Sequence, residues 1–575
     1  MSRVRFGEFA AVGVVVACVV GGNAASGGSP APERVYEHAA VATDHVVASR
    51  AGVEMLRRGG NAVDAAVAAG FCLSVVRPYS CGIGGGGFMV IAMPPGHDTD
   101  DVAIDFRETA PAAVGPAYYV GLDDDAASRA GVHAVGVPGS VAGLLYALRR
   151  YGTLDRATVL EPAIRAARDG IVADKSWVDA ANQLAKRLDR HPGLRVVAAP
   201  IVAGLCLGGG VAVGDLVRNP QHARALRLIA EQGRDAFYLG PIADAIVATV
   251  QAGGGPLNHA DLAGYRIRVA KPLRGRFRGL EILTMPPPSS GGVAMLQILG
   301  ILDRRLDQAV HARPTAAAYV HLVTEAMKHA FADRATWLAD AAFVDVPIDR
   351  LLDGGYLDGR AASISPNGTR PTEQYGSHVP PVDDGGTSHF SIIDGQGMAV
   401  ACTQTINLEY GSLVAVPGFG FALNNEMDDF TTIPGQANFF GLQQSDRNLP
   451  QPGKRPLSSM SPTIVRRDGR AILVAGASGG PRIISGTLQC VLNCLVFGMT
   501  PREAVAAPRF HHQWQPDILF FEDRWSDQAV IETMEALGHH AGRREDIGVV
   551  QLISVGDDGI RAASDPRKGG AADGM

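Results

Sequence analysis

The amino-acid sequence predicts an α+β fold in which β-sheets are covered by layers of helices. Three pairs of short apolar runs with strand character lie in the C-terminal part of the chain. Segments with the apolar spacing of helices lie before these pairs and between them. Paired strands bury an apolar face only against other elements, so this order predicts sheets packed against helices.

Composition and charge limit the class of protein. Of the 575 residues, 46% are hydrophobic and 19% are charged, which is typical of a folded chain and not of a disordered one. The formal net charge of −6 is spread without long runs of one sign. A nucleic-acid-binding protein usually carries a basic face or stripe, so we expect no nucleic-acid partner.

Helical spacing begins at residue 45 and continues to residue 76. Gly59-Gly60 interrupts it, and Asn61 with Asp64 three residues later offers the start of a second helix. A glycine-rich loop at residues 82–87 then precedes an apolar run at residues 88–92. The loop lacks the Gly-Lys-Ser/Thr ending of a phosphate-binding loop and precedes a strand, so we interpret it as a place of close backbone packing.

The rest of the chain supplies the middle helices and the strand pairs. Helices alternating with polar turns are predicted for residues 144–302, and one long amphipathic helix for residues 316–338. The first strand pair flanks Gly-Gln-Gly and the second crosses Asp468-Gly469. The predicted strands are 388–394 with 398–406, 463–465 with 471–474, and 549–555 with 560–563. Helices are also predicted at residues 482–497 and, behind a capping box of Thr500 and Glu503, at residues 501–507.

Residues 1–25 have the pattern of a secretory signal. Arg3 and Arg5 precede an apolar run at residues 9–20, and small residues follow. The run is too short to span a bilayer, which takes about 20 residues. Residues 15–18 also resemble a bacterial lipobox, which would place a lipid on Cys18; we prefer an ordinary cleaved signal. We therefore expect an exported protein, periplasmic or extracellular, that meets a membrane only through such a lipid.

The seven cysteines do not form a disulfide framework or a metal site. They are scattered in apolar surroundings, where free buried cysteine is the ordinary state. Cys490 and Cys494 are four residues apart, but no histidine joins them at zinc-site spacing. The sequence therefore predicts no metal and no cofactor.

A loop without apolar periodicity, residues 366–386, contains four prolines and four glycines and ends at Gly386-Thr387. Long segments of this kind are usually functional or linking. If the chain is cut there, Thr387 supplies both a hydroxyl nucleophile and a free α-amine, whose ordinary pKa of about 7.7–8.0 suits a base near neutral pH. Gly386 has no Cβ, which leaves its carbonyl accessible.

Several motifs resemble, in the same order, those of the γ-glutamyltranspeptidase family of N-terminal-nucleophile hydrolases. They extend from about residue 39 to residue 563. The downstream motifs are Gly386-Thr387-Ser388-His389, Thr403-Gln404-Thr405-Ile406-Asn407, Asn424-Asn425-Glu426-Met427-Asp428-Asp429-Phe430, Lys454-Arg455-Pro456-Leu457-Ser458-Ser459-Met460-Ser461-Pro462 and Gly479-Gly480. The upstream motifs are Phe106-Arg107-Glu108-Thr109-Ala110-Pro111, Val137-Pro138-Gly139-Ser140, Pro286-Pro287-Pro288-Ser289-Ser290-Gly291-Gly292 and Glu325-Ala326-Met327-Lys328-His329.

The resemblance implies catalytic roles for four residues. Thr387 would be the nucleophile with its own α-amine as the base, and Thr405 would hydrogen-bond the nucleophile. Gly479 and Gly480 would present backbone N–H groups to the tetrahedral oxyanion. His389 would then not be needed as a base, and we interpret it as structural.

The resemblance also implies a site for the free α-amino-acid end of a substrate. The α-carboxylate would be bound by a guanidinium fork and two hydroxyls, and the α-ammonium by two carboxylates and a carboxamide. These residues are Arg107, Ser458 and Ser459 for the carboxylate, and Asn407, Glu426 and Asp429 for the ammonium.

A lid loop is expected at residues 434–453, with Phe440 near its middle. Many members of the family carry a tyrosine here, which Phe440 cannot match in hydrogen bonding to Asn407. A lid that closes less firmly would admit water to an acyl-enzyme, so the balance between hydrolysis and transfer is left open.

The fold implied by the resemblance is the four-layer αββα sandwich of N-terminal-nucleophile hydrolases. Cleavage would give a large subunit of residues 26–386 and a small subunit of residues 387–575 that remain together as a heterodimer. The implied reaction transfers the γ-glutamyl group of glutathione and related γ-glutamyl amides, through a γ-glutamyl-Thr387 intermediate, to water or to amino acid and peptide acceptors.

Three alternatives stay open at this stage. Residues 476–480 superficially resemble a serine-protease loop, but the histidine and aspartate motifs of such an enzyme are missing. A non-catalytic γ-glutamyl-binding protein would remain one uncut chain. A cephalosporin or glutaryl acylase of the same superfamily would need no α-ammonium site, so Asn407, Glu426 and Asp429 argue against it.

Overall fold

Two seven-stranded antiparallel sheets face each other at the centre of the molecule. The computed structural model describes residues 33–124, 126–309, 313–376, 386–433 and 445–575, with the side chains of residues 307–309 excepted. The strands are β1 (Val35–Tyr36), β2 (Ala40–Thr43), β3 (Gly86–Ala92), β4 (Val102–Asp105), β5 (Ile171–Val172), β6 (Leu216–Val217), β7 (Arg268–Ala270), β8 (Leu273–Phe277), β9 (Leu280–Thr284), β10 (Thr387–Ile393), β11 (Ala399–Thr405), β12 (Thr463–Arg467), β13 (Arg470–Ser478), β14 (Phe510–His511), β15 (Leu519–Glu522), β16 (Ala541–Arg544), β17 (Val549–Gly556), β18 (Gly559–Ser564) and β19 (Ala571–Gly574).

Helices form the outer layers. They are α1 (Val46–Arg57), α2 (Ala62–Val76), α3 (Ser140–Tyr151), α4 (Arg156–Asp169), α5 (Lys175–Arg190), α6 (Arg195–Leu205), α7 (Pro220–Gln232), α8 (Arg234–Tyr238), α9 (Pro241–Ala252), α10 (His259–Gly264), α11 (Ser290–Ala309), α12 (Ala317–Trp337), α13 (Ile348–Leu351), α14 (Gly354–Ser363), α15 (Arg482–Phe497), α16 (Pro501–Ala506) and α17 (Gln528–Ala536). No helix of the described residues is both long enough and apolar enough to cross a bilayer.

The strand order gives each sheet its place. Sheet I runs β19-β2-β10-β11-β3-β4-β7, and sheet II runs β1-β18-β17-β13-β12-β9-β8. Side chains alternate across a strand, so each strand of sheet I serves two cores. Phe390 and Ile392 of β10 pack in a core with α1, α2 and α4, whereas Ala399 and Ala401 of β11 lie in a second core with sheet II.

The second core continues through sheet II to helices α11, α12 and α15. Ala475 and Ala477 of β13 and Ile484 and Leu488 of α15 belong to it. The succession is therefore helices, sheet I, sheet II and helices, which confirms the expected αββα sandwich.

Local signals located most of these elements correctly. Asn61 and Asp64 form the expected capping box at the start of α2, and Thr500 and Glu503 form the one before α16. Helix α15 has the predicted bounds, and the three predicted strand pairs are present as β10–β11, β12–β13 and β17–β18.

The prediction that residues 144–302 contain only helices and turns is wrong, because β5 to β9 lie within that range. Strand β8 alternates inward Leu273 and Phe277 with exposed Arg274 and Arg276, a period of two that indicates a strand, and it lies at the edge of sheet II. The strand is short, which is why the helical signals on either side of it obscured it.

The described cysteines are free, and all but the half-buried Cys494 are buried. This confirms the expectation for the cysteines within the described ranges. The signal and lipobox predictions, including Cys18, concern residues 1–32 and lie outside the described residues.

Candidate active site

The register of the central hairpin brings two threonines face to face. Strand β10 begins at Thr387, and its antiparallel pairing with β11 sets Thr387 opposite Thr405. Their hydroxyl oxygens are 3.1 Å apart, and both side chains are buried. We call β10 and β11 the nucleophile hairpin.

The Thr405 hydroxyl is the centre of a small hydrogen-bond network. It donates to the carbonyl oxygen of Gly386 over 2.9 Å and accepts from the backbone N–H of Asn407 over 2.8 Å. A hydroxyl has one proton to donate, so the contact between the two threonines runs from Thr387 to Thr405. The same hydroxyl thus polarises the Gly386 carbonyl and accepts a hydrogen bond from the Thr387 hydroxyl.

The backbone around the Gly386-Thr387 bond is tightly packed. A Cβ on Gly386 would lie 2.9 Å from the Tyr79 carbonyl oxygen, so only glycine fits without movement. On the other side, the Lys568 ammonium donates to the Thr387 carbonyl over 2.8 Å and to the Asp44 carboxylate over 2.9 Å. These contacts fix the peptide from both sides.

The glycine-rich loop at residues 82–87 packs against the nucleophile hairpin. A Cβ on Gly85 would lie 2.0 Å from the Thr405 carbonyl oxygen, and one on Gly87 would lie 2.2 Å from that of Thr403. The loop leads into β3, which pairs with β11. The prediction of close backbone packing is confirmed.

Glu426 and Asp429 lie on one short 3₁₀ turn that ends in front of Arg107. Side chains three residues apart eclipse in a 3₁₀ helix, so both carboxylates point the same way. Each forms an ion pair with a different terminal nitrogen of the Arg107 guanidinium, and the guanidinium also donates to the Pro456 carbonyl over 3.3 Å. All the charges of this cluster are buried.

Burial raises the pKa of two acidic groups at this cluster. Burial, offset only in part by Arg107, raises the pKa of Glu426 to about 7. Burial, and then repulsion from Glu426, raises the pKa of Glu108 well above its ordinary value. Neither Glu108 oxygen accepts a hydrogen bond from an N–H or O–H of the described residues. A proton on Glu108 that is shared with Glu426 accounts for both facts.

Ser458 and Ser459 lie beside the guanidinium, next to the Pro456 and Leu457 carbonyls that it contacts. The Ser458 hydroxyl accepts from the Met460 N–H over 3.2 Å. The Ser459 hydroxyl is buried and has no hydrogen-bond partner among the described residues. Buried hydroxyls normally have one, so this group is available to a ligand.

Asn407 and the glycine pair complete the site. Asn407 has a φ of +71° and donates its side-chain amide to the Asn425 carbonyl over 3.0 Å. Gly479 and Gly480 have φ values of +124° and +56° in the turn between β13 and α15. Glycine adopts such angles without strain, and the two glycines lie directly before Pro481, the N-cap of α15.

Of the predicted catalytic and binding residues, all but Gly479 line one cleft with a free volume of only about 20 Å³. It is lined by Arg107, Arg334, Thr387, Thr405, Asn407, Glu426, Asp429, Ser458, Ser459, Met460, Gly480 and Ile483. We call the polar part of this cleft the zwitterion pocket. It is made by Arg107, Asn407, Glu426, Asp429, Ser458 and Ser459. Phe440 lies outside the described residues, as do residues 434–444 of the expected lid.

His389 is bonded away from the nucleophile. Its Nδ1 is 2.7 Å from the Thr403 hydroxyl and its Nε2 is 3.2 Å from the Ser391 hydroxyl. Burial lowers the pKa of the His389 imidazole to about 3, which keeps the ring neutral. The arrangement agrees with a structural histidine.

Among the described residues, one cluster has ligand types suited to a metal: His321, Glu325 and His539. Both Glu325 oxygens already accept hydrogen bonds, from Thr369 and Tyr375, and the Lys328 ammonium is 3.9 Å from one of them. An ammonium at this place competes with a cation, so the cluster acts as a hydrogen-bonded polar core.

Sequence reasoning missed three residues at this site. Glu108 and Arg334 lie in or beside recognisable motifs but received no role, and Lys568 belongs to none of the quoted motifs. Arg334 lines the cleft, donates to the Ser290 hydroxyl over 2.9 Å and has one terminal nitrogen without a partner. Burial lowers the pKa of Arg334 to about 10. The signal available for Glu108 was its position next to Arg107.

A four-layer αββα sandwich with a threonine at the first residue of a central strand defines the class of N-terminal-nucleophile hydrolases. The model of one family, Gamma-glutamyltranspeptidase, matches residues 48–575. The chain is 40% identical over 533 residues to the glutathione hydrolase proenzyme of Escherichia coli K12, covering 92% of this chain and 90% of that one. The chain therefore belongs to the γ-glutamyltranspeptidase family.

Acylases are also similar to this chain. The acylase ACY 1 proenzyme of Pseudomonas sp. strain SE83 is 37% identical over 531 residues, which cover 90% of each chain. The solved structure of cephalosporin acylase from Bacillus halodurans superposes with a TM-score of 0.84 at 26% identity, covering 97% of this chain and 99% of that one. Family membership alone thus leaves the substrate to be argued from the site.

Proposed function

We propose that this chain is a precursor that cleaves its own Gly386–Thr387 bond and then acts as a γ-glutamyltransferase and glutathione hydrolase. The observation that carries the proposal is the position of the Thr405 hydroxyl, which contacts both the Thr387 hydroxyl and the Gly386 carbonyl. One group there assists both the attacking atom and the carbonyl under attack.

Cleavage proceeds as a shift of the acyl group from nitrogen to oxygen. The Thr387 hydroxyl oxygen attacks the Gly386 carbonyl carbon, and Thr405 hydrogen-bonds the developing oxyanion. The C–N bond breaks, the α-amine of Thr387 takes the hydroxyl proton, and an ester remains. Water hydrolyses the ester and releases a large subunit of residues 26–386 and a small subunit of residues 387–575.

In the mature enzyme, Thr387 carries nucleophile and base on one residue. The α-amine removes the hydroxyl proton as the oxygen attacks the γ-amide carbon of the substrate, and the proton passes to the departing amine. Backbone N–H groups of Gly479 and Gly480 stabilise the oxyanion. The γ-glutamyl ester on Thr387 is then taken by water or by an amino acid or peptide.

The zwitterion pocket selects the free amino-acid end of the donor. Without a substrate, Arg107 pairs with Glu426 and Asp429. A bound zwitterion replaces this internal pairing, because its carboxylate takes the guanidinium fork and the Ser459 hydroxyl while its ammonium takes the two carboxylates and Asn407. The charges stay balanced throughout, which favours a zwitterionic ligand over a simple acid.

An acylase is the second candidate, and the similarity to acylases supports it. Such an enzyme would accept a glutaryl group, which is a γ-glutamyl group without its ammonium. The buried carboxylates of Glu426 and Asp429 oppose this, since they would face a ligand with no positive charge.

Purified protein tests the two candidates directly. The rates of anilide release from a γ-glutamyl anilide and from the matching glutaryl anilide are compared at equal concentration. We expect kcat/KM to favour the γ-glutamyl anilide by at least about 100-fold, the value of one or two buried ionic contacts. A preference for the glutaryl anilide would identify an acylase, and one uncut chain without activity would identify a binding protein.

Export forms the last part of the proposal. The pattern of residues 1–25 supports a periplasmic or extracellular enzyme, and glutathione is the principal donor we expect. Mass spectrometry of the N-terminus of the large subunit from its native host distinguishes a cleaved signal from a lipid on Cys18.

A further inference from the structure

A second cleft, with a free volume of about 640 Å³, lies on another part of the surface. It is formed by α3, the turn into α4, the start of α8 and residues 265–267. It shares no lining residue with the active-site cleft. Its size is within the range of roughly 300–1,000 Å³ that is usual for small-molecule sites.

Four arginines line this cleft and no acidic residue does: Arg149, Arg156, Arg234 and Arg266. Within the described part of the chain their partners are carbonyls and rings. Arg156 donates to the Ala230 carbonyl over 2.7 Å and Arg234 to the Tyr265 carbonyl over 2.8 Å, while Arg149 lies over the Tyr146 ring. Guanidiniums gathered without counter-charge favour an anion, and their planar forks suit a carboxylate or a phosphate.

The remaining wall is apolar. Leu145, Leu148, Leu154 and Ile267 line it, together with the ring of Tyr146. A small inorganic anion would leave this surface unused. The lining therefore fits an organic anion whose charged end meets the arginines and whose body is aromatic or aliphatic.

One residue in the lining of this cleft is hydrogen-bonded to a residue of the active site. Tyr265 is buried, and its hydroxyl donates to the backbone carbonyl of Arg107 over 2.9 Å. The next carbonyl along the chain, that of Arg266, accepts from Arg455 over 2.7 Å. Arg455 precedes the segment that carries Ser458 and Ser459. A ligand that moves residues 265–267 therefore acts on two segments that form the zwitterion pocket.

We propose that this cleft is a second ligand site, specific for an organic anion with an apolar body, and that its occupancy changes the backbone at Arg107. The proposal is independent of the proposed activity, since both of its parts are measured by binding and exchange. By linkage, any ligand held by Arg107 also changes the affinity of the second site.

Binding is measured by calorimetry on the uncut Thr387→Ala chain, with phenylbutyrate as the probe. Phenylbutylamine has the same body and the opposite charge, and butyrate has the charge without the ring. We expect saturable binding of phenylbutyrate, at least tenfold weaker binding of the other two, and at least tenfold weaker phenylbutyrate binding after the double change Arg149→Met and Arg266→Met. Arg150→Met, on the next residue of α3 and outside the cleft lining, is the matched control and should bind as the parent does. Equal binding by the double variant and the control overturns the site, as does the absence of saturable binding.

Coupling is measured by amide hydrogen exchange at residues 105–108. Saturating phenylbutyrate should change the exchange rate there at least threefold in the parent chain and should leave it unchanged after Tyr265→Phe, which removes only the hydroxyl bonded to Arg107. Unchanged exchange in the parent overturns the coupling. An equal change in Tyr265→Phe overturns the assigned route.

Discussion

The residues of the nucleophile hairpin and those of the zwitterion pocket are brought to the same cleft in different ways. In the hairpin, Thr387 and Thr405 are neighbours because the antiparallel register of two adjoining strands places them opposite each other. In the pocket, Arg107, Glu426 and Ser459 come from separate loops and meet only in the folded sandwich. The atoms proposed for catalysis are therefore positioned by the sheet, and those proposed for substrate binding by long-range packing.

The two regions also differ in electrostatics. The hairpin works with neutral hydroxyls and a carbonyl, whereas the pocket contains a buried arginine between buried carboxylates. Buried charges are tolerated only when they are paired, so the pocket depends on its internal balance. Changes in the hairpin should therefore affect chemistry, and changes in the pocket should affect substrate binding and stability.

The largest effect is expected from Thr387→Ala, which removes the attacking oxygen. The chain should remain uncut, and turnover of a γ-glutamyl anilide should fall by about 10⁴-fold or more, since no other group replaces a lost nucleophile. Gel electrophoresis and a rate assay check this. A cut Thr387→Ala chain would assign the nucleophile elsewhere.

Thr405→Val tests the hydroxyl that joins Thr387 to the Gly386 carbonyl. Loss of one oxyanion donor should slow self-cleavage by about 10²–10³-fold with little change in packing, because valine has nearly the same shape. The half-time of cleavage is the measurement. Thr403→Val is the matched control, since Thr403 lies on the same face of β11 and binds His389 instead; equal slowing in both variants would attribute the effect to the sheet.

Arg107→Lys tests the pocket. Lysine keeps the charge but loses the fork, so KM for a γ-glutamyl anilide should rise by about 10- to 100-fold, with a smaller change in kcat, because the contact is present in ground state and transition state alike. Arg150→Lys, at an exposed position, should change neither constant. An unchanged KM in Arg107→Lys would remove Arg107 from the substrate site.

Glu426→Gln tests the buried proton. The pKa of Glu426 is raised from 4.5 to about 7, so the folded chain holds a proton that the unfolded chain releases near 4.5. Stability should therefore fall as pH rises from 4.5 to 7, by an amount on the order of 1 kcal/mol or more. Denaturant unfolding of the uncut Thr387→Ala chain measures it, and Glu426→Gln should flatten this slope while the exposed Glu373→Gln does not. A slope that persists in Glu426→Gln would assign the proton to Glu108 alone.

The same contrast explains which elements and contacts could be predicted from the sequence. Strands β10 and β11, helix α15 and both capping boxes follow from local spacing and turn residues, because short-range contacts decide them. Strands β7 to β9 were missed because they are short. β7 and β8 lie at sheet edges, and β7 and β9 pair with strands far along the chain, β4 and β12. The contacts of Arg107 with Glu426 and Asp429 span more than 300 residues, and no local pattern indicates them.

The resemblance to a family supplied site residues that local sequence patterns would not have identified. It did not indicate how these residues pair with one another. Nothing in the motifs indicates that Arg107 pairs with the carboxylates assigned to a substrate ammonium. Lys568 and its bond to the Thr387 carbonyl likewise follow only from the folded chain, because β19, which follows Lys568, joins the same sheet as β10 through β2.

We propose that one residue, Thr387, becomes both the new N-terminus and the acyl carrier. N-terminal sequencing of the small fragment, combined with mass spectrometry of that fragment after acid quenching during turnover of a γ-glutamyl anilide, tests both parts at once. We expect a fragment that begins at Thr387 and carries one γ-glutamyl group on that residue. A fragment that begins at another residue, or an acyl group found on any other side chain, would contradict it.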